Sequence, residues 1–299
     1  MGNFDVLTTQ VSLLGSAPAM VESALLLGDG FGSILLESFK LLLILLAPFV
    51  GFALVIHWLE RVTQRRLAER FGWHSVLWTG WLGTPIHELS HAFMCWVFQH
   101  RIDEIALFEP DRESGRLGYV KHSFKTGNWF QELGNFFIGI APLLGGSIAL
   151  AVLLWLFYPE AASSAIETTR ADGSGDAINK TIAIVGALCG NILSGTNLVT
   201  PRFWAFIYLV LSVGSHMAPS GSDYRGASRG VLMVAGALVA GVVVLAMVGI
   251  DSEKMVDGMI GTMGPLFAIF GLTIVLCALA TVIVWLITSF IPQRYQLPE

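Results

Sequence analysis

The chain has 299 residues, of which 54% are hydrophobic and only 13% charged, with a mean hydropathy of +0.68. A soluble domain of this size could not bury so much apolar surface in one core, so the expected solvent is largely lipid. A formal charge of −5, a pI near 5.8 and the absence of a basic run exclude nucleic acid as an expected partner, and Cys95, Cys189 and Cys277, all in apolar segments, read as small buried hydrophobes rather than a disulfide framework.

Residues 1 to 30 carry no Lys or Arg and so lack the charged n-region of a secretory signal peptide. Phe4, Val6, Leu7, Val11 and Leu14 suit either a helix lying on the membrane surface or a loosely ordered tail. The first span is expected from Ile34 to Leu59, long enough to cross because roughly 20 apolar residues suffice. Arg61, Arg65, Arg66 and Arg70 follow at once and place that end in the cytoplasm by the positive-inside rule.

The next apolar stretch, Trp73 to Phe98, contains His87-Glu88-Leu89-Ser90-His91, the pattern H-E-x-x-H. On a helix the four-residue separation stacks the two imidazoles on one face, where both reach a single Zn²⁺, and Glu88 beside them is placed to take a proton from water whose pKa the metal lowers. Two histidines and a glutamate at bilayer depth are costly unless they coordinate or pair, so the cluster reads as a functional site. Basic residues flank the stretch on both sides. Either Thr79 to Pro85 breaks it into a re-entrant pair, or the following segment is structured and escapes the short-loop charge rule.

That segment reads as a β-hairpin, Ile102 to Phe108 and Arg116 to Phe124 around a long turn. It is either a solvent-exposed hairpin without special role or a clamp that holds an unwound substrate segment by strand addition. A span follows from about Leu133 to Phe157, with Pro142 expected to kink it and Asn135 needing a partner, in a neighbouring helix or in a site. Residues 158 to 180 read as a polar outer loop. Two further membrane segments are expected over 181 to 199 and 203 to 217, the second short for a full crossing.

Pro219 and Gly221 then break the chain before an apolar run from Val231 to Ile250. Asp223 there either caps the next helix or supplies the third protein ligand of a catalytic zinc, which keeps a fourth position open for water. His216 competes for that role or supports the ligands from behind. The last span, about Pro265 to Ile291, reads as packing and leads to a short tail, 292 to 299. The expected fold is thus an all-α polytopic membrane protein of about six transmembrane or re-entrant helices, with one small β-hairpin after the H-E-x-x-H helix, forming a single embedded domain over 31 to 291.

Together, H-E-x-x-H in an apolar helix, a following β-rich segment, an Asn-containing span with Gly and Pro, and Asp223 at a helix start four residues after Pro219 resemble the site-2 protease family of intramembrane zinc metalloproteases. The resemblance covers roughly 84 to 240, the implied catalytic core. It implies His87, His91 and Asp223 as zinc ligands, Glu88 as general base and a membrane-protein or peptide substrate, in a bacterial-type cell (inner) membrane. The family often shows Leu-Asp-Gly where this chain has Ser222-Asp223-Tyr224, and no inserted peptide-binding domain fits here, so the chain resembles a divergent branch.

Other classes leave different traces. A membrane di-iron hydroxylase needs about eight clustered histidines, whereas His57, His74, His100 and His122 are scattered. A transporter or proton pathway would use His87, Glu88, His91 and His216 as a midplane relay, and a catalytically silent descendant would bind helices without cutting them.

Overall fold

The computed structural model describes residues 4–171, 177–247 and 252–295, and among them nine helices and two strands. These are α1 (Phe4–Phe71), α2 (Trp73–Val97), β1 (Arg101–Ala106), β2 (Tyr119–Ser123), α3 (Trp129–Phe157), α4 (Pro159–Ala171), α5 (Ala177–Ile192), α6 (Gly195–Leu198), α7 (Pro201–Gly214), α8 (Gly221–Met247) and α9 (Ser252–Ser289). The chain divides into two compact units, Met1–Leu45 with Ala235–Asp257, and Leu46–Val234 with Gly258–Glu299; every candidate site residue lies in the second.

Four helical segments among the described residues are long and apolar enough to cross a membrane, Ser38–Phe71, Trp129–Phe157, Gly221–Val244 and Ile269–Ser289, against the expected six or so. The differences have local causes. Helix α1 begins at Phe4 without a break near residue 30. Helix α2 is continuous through Thr79 to Pro85, so no re-entrant pair forms: Pro85 removes one backbone donor but the helix carries on past it. The expected polar loop after residue 157 is instead helical as α4, with Pro159 opening it, Glu160 in the first turn and Ala161 and Ala162 buried. Its helical stripe, Ala161, Ala162, Ala165 and Ile166, is short and mostly alanine, too weakly apolar to read as a span.

The hairpin forms as expected but shorter, with Arg101 opposite Ser123, Ile102 opposite His122 and Ala106 opposite Tyr119, and an irregularity between Ile102 and Glu104. In the second unit α2 packs against α3 and α7, which also pack on each other. His91 meets Ile138 and His100 meets Gln131, so α3 runs antiparallel to α2. Trp81 bonds Tyr208 and His87 bonds His216, so α7 runs parallel to α2. Phe203, Phe206, Val210 and Val213, spaced at three and four residues, give α7 the fully buried face expected of a helix inside a bundle. Helix α9 lies parallel to α1: Phe52 stacks on Phe270 at 4.0 Å, Thr63 bonds Thr281 at 2.8 Å, and Arg70 bonds the Ile291 carbonyl. Both helices therefore end on the side of the arginine cluster.

Candidate metal centre

Helix α2 is turned inside out relative to a soluble helix. Its buried residues are Ser75, Thr79, Gly80, Gly83, Thr84, Glu88, His91 and Cys95, while Trp78, Trp81, Phe93 and Trp96 are exposed. Small and polar residues face the bundle and large apolar ones face outward, so the ionisable groups of α2 are enclosed by neighbouring helices.

The two histidines are fixed by backbone carbonyls. His87 Nδ1 lies 2.7 Å from His216 O and His91 Nδ1 lies 2.8 Å from Ile138 O. A carbonyl oxygen only accepts, so both Nδ1 atoms carry the proton and, in neutral rings, both Nε2 atoms are lone pairs. These lone pairs face each other at 3.1 Å, and the Asp223 carboxylate faces both, 3.4 Å from His91 Nε2 and 3.8 Å from His87 Nε2. Three electron-rich atoms so placed call for a cation, and a single proton would serve only two of them. The two imidazoles approach different oxygens of Asp223, Oδ1 for His91 and Oδ2 for His87, and one donor atom from each of the three residues lies within 4.8 Å of the other two. His87, His91 and Asp223 thus form a group able to hold a metal ion, each imidazole oriented by the outer hydrogen bond that metal-binding histidines use.

Asp223 arrives by way of a helix break. Helix α7 ends at Gly214 beside His87, and α8 restarts at Gly221 beside His91. Ala227 and Gly230 meet Gly139 and Phe136, so α8 runs antiparallel to α3 and in the same direction as α7. The two helices follow one path interrupted at the depth of the histidines. Close approach is needed on both sides of the break. A Cβ on Gly139 would stand 2.6 Å from Ala227 Cβ and 2.8 Å from the Asp223 carbonyl, and one on Gly83 would overlap the Ser212 carbonyl.

Glu88 lines a cleft of about 410 Å³ together with His87, His91, His122, Asn135 and Asp223. The cleft is roofed by β2, from Tyr119 to His122. Asn135 is buried on its wall, with Nδ2 donating to Glu132 O at 3.3 Å. The His216 ring turns the other way, Nδ1 lying 3.1 Å from Ser212 O and 3.0 Å from Ser215 Oγ, so this residue meets His87 through its carbonyl. A second cavity of about 280 Å³ reaches His87 and Glu88 from the α1 side. Three buried oxygens without protein partners line it, Glu60 Oε2, Gln64 Oε1 and Thr84 Oγ1, which marks it as polar space.

Sequence reasoning missed Glu60, whose signal was an ionisable residue at the arginine-flanked end of an apolar segment. It also passed over His122 as one of several scattered histidines. Comparisons of the chain with protein-family models, with curated proteins and with solved structures found no match.

Proposed function

We propose that the protein is an intramembrane zinc metallopeptidase that hydrolyses peptide bonds of membrane-protein substrates. The observation that carries this reading is the convergence of two carbonyl-anchored imidazoles and one carboxylate in a cleft that Glu88 also lines. Two imidazole nitrogens and one carboxylate oxygen are a ligand set of catalytic zinc, which takes three protein ligands and leaves a position open. When bound, zinc supplies Lewis acidity, polarising a carbonyl and lowering the pKa of water. Glu88, next in sequence to His87, accepts the proton of the attacking water and passes it to the leaving amine. Asn135 presents its buried amide to the same cleft. The roof strand β2 offers its edge to an extended segment, and a transmembrane helix must unwind to be cut because its peptide groups are shielded by their own hydrogen bonds.

The test compares peptides released from membranes of cells carrying the wild-type protein or Glu88→Gln, with zinc measured in both purified proteins. Peptides present only with the wild type, and equal zinc in the two proteins, are expected. Identical peptide profiles would overturn the hydrolase reading, and a protein that binds no zinc would overturn the metal assignment.

A further inference from the structure

His122 and His100, 22 residues apart in sequence, meet across the hairpin, with Nδ1 atoms 3.0 Å apart and ring centroids 5.0 Å apart. The other nitrogen of His100, Nε2, lies 2.7 Å from the Gln131 carbonyl at the start of α3. That carbonyl accepts, so His100 Nε2 carries the proton and Nδ1 is a lone pair. His122 Nδ1 must then donate to it, and the proton that His122 spends there leaves its Nε2 as a lone pair. Phe124, stacked on the His100 ring at 5.1 Å, and the burial of His100 keep this chain of bonds in place.

The ring stands in the wall of the cleft beside His91, Asn135 and Asp223. No group among the described residues bonds its Nε2, and this atom is not among the enclosed, unpartnered ones. It is therefore an acceptor open to the cleft, with its direction and tautomer set in advance by α3.

We propose that His122 is a substrate-positioning residue whose Nε2 accepts a hydrogen bond from a main-chain N–H of an extended peptide in the cleft, and that His100 acts through it by enforcing that tautomer. The inference rests on the peptidase reading for its ligand class. Strand addition at the β2 edge aligns a peptide by its backbone but leaves it free to slip by two residues. A fixed side-chain acceptor in the cleft, facing one N–H of the extended segment beyond the stretch paired with β2, selects a register and disfavours proline at that residue.

The test uses full-length Glu88→Gln protein with ¹⁵N-labelled histidine, in lipid nanodiscs with zinc added, so that peptide is bound and not consumed. The probes are acetyl-(Leu-Ala)₄-amide and its fully N-methylated counterpart, which has no N–H to give. The His122 signals, assigned by their loss in His122→Phe, are expected to show a protonated Nδ1 and a bare Nε2. The Nε2 signal should move on adding the amide peptide and stay in place on adding the N-methylated one. His100→Phe should mix the two tautomers and weaken peptide binding about five- to tenfold, the loss expected for one neutral hydrogen bond. A protonated Nε2 in the parent protein, or equal responses to the two peptides, would overturn the proposal. If His122 responds while the wild-type and Glu88→Gln peptide profiles are identical, the peptide site stands and hydrolysis falls. If the profiles differ while His122 stays silent, hydrolysis stands and the positioning role of His122 falls.

Discussion

Ser220 and Asp223 bond each other in both directions across the start of α8. Asp223 Oδ2 accepts from Ser220 N at 2.6 Å and from Ser220 Oγ at 2.7 Å, while Ser220 Oγ accepts from Asp223 N at 3.4 Å. This is a capping box, and the same carboxylate faces His87 and His91. The carboxylate that completes this cap is also the one that faces the imidazoles, so the two readings of Asp223 are compatible rather than exclusive. The cap aims the carboxylate.

Asp223→Asn separates those roles. An amide oxygen at this third position of the capping box still accepts from Ser220, and only the favourable negative charge in the first turn is lost, so thermal stability of the metal-free protein should hold within about 1 kcal/mol. A neutral amide is a poor zinc ligand, so metal affinity and turnover should both fall steeply. Asp223→Ala should add a further loss of about 1 kcal/mol in stability. Zinc titrations and melting curves on the two variants check this, and full zinc affinity in Asp223→Asn would remove Asp223 from the ligand set.

Glu88→Gln keeps the shape of the side chain and both imidazoles but cannot accept a proton. Turnover should drop at least about a hundredfold, the lower end for a general base, with zinc retained. His87→Ala and His91→Ala should instead lose the metal. Quantified cleavage alongside metal analysis distinguishes the two outcomes.

Gly139→Ala removes no donor atom, yet the added methyl would crowd Ala227 and the Asp223 carbonyl where α8 crosses α3. The helix must shift, at about 1 to 3 kcal/mol for overpacking. We expect zinc affinity to fall at least about tenfold in a protein that still folds, measured by competition with a chelator. Unchanged affinity would mean that α8 can yield without moving Asp223.

The hairpin should be acid-sensitive. His122 is held neutral, its pKa lowered to about 4 by burial and by His100, whereas an unfolded chain protonates it near 6.5. Between those values the unfolded state binds more protons, so stability falls as pH drops from about 6.5 toward 4. His122→Gln should flatten that part of the stability curve, as followed by melting temperature against pH. An unaltered slope would place the acid sensitivity elsewhere.

A proline in β2 at a position whose N–H points away from β1 should impair cleavage and leave zinc content alone, because the pairing with β1 survives while the free edge does not. Parallel loss of zinc or of folded protein would mean that the hairpin is only structural.

What the sequence disclosed depended on how far apart the interacting residues lie. His87 and His91 sit one turn apart on one helix, so their spacing alone implied a shared face. The break at Pro219 and Gly221 was visible, as was the shortness of the segment before it. That α7 and α8 continue one path past the histidines was not, because it depends on packing against α3 at Gly139. The His100 and His122 contact depends on strand register, which places Ile102 opposite His122, and no local pattern encodes it. Helix α4 was hidden for a different reason: its 13 residues carry a helical stripe made mostly of alanine, too short and too weakly apolar to be found as a span.

The division of the centre between α2 and α8 also orders events during synthesis. Both imidazoles and Glu88 leave the ribosome about 130 residues ahead of Asp223. A nascent or truncated chain that stops before Gly221 therefore holds Glu88 and the two imidazoles but not the Asp223 carboxylate, and lacks the α8 surface that meets Gly139. Under the proposed hydrolytic function this is a built-in delay: the three donors of the centre come together only when the later helix docks.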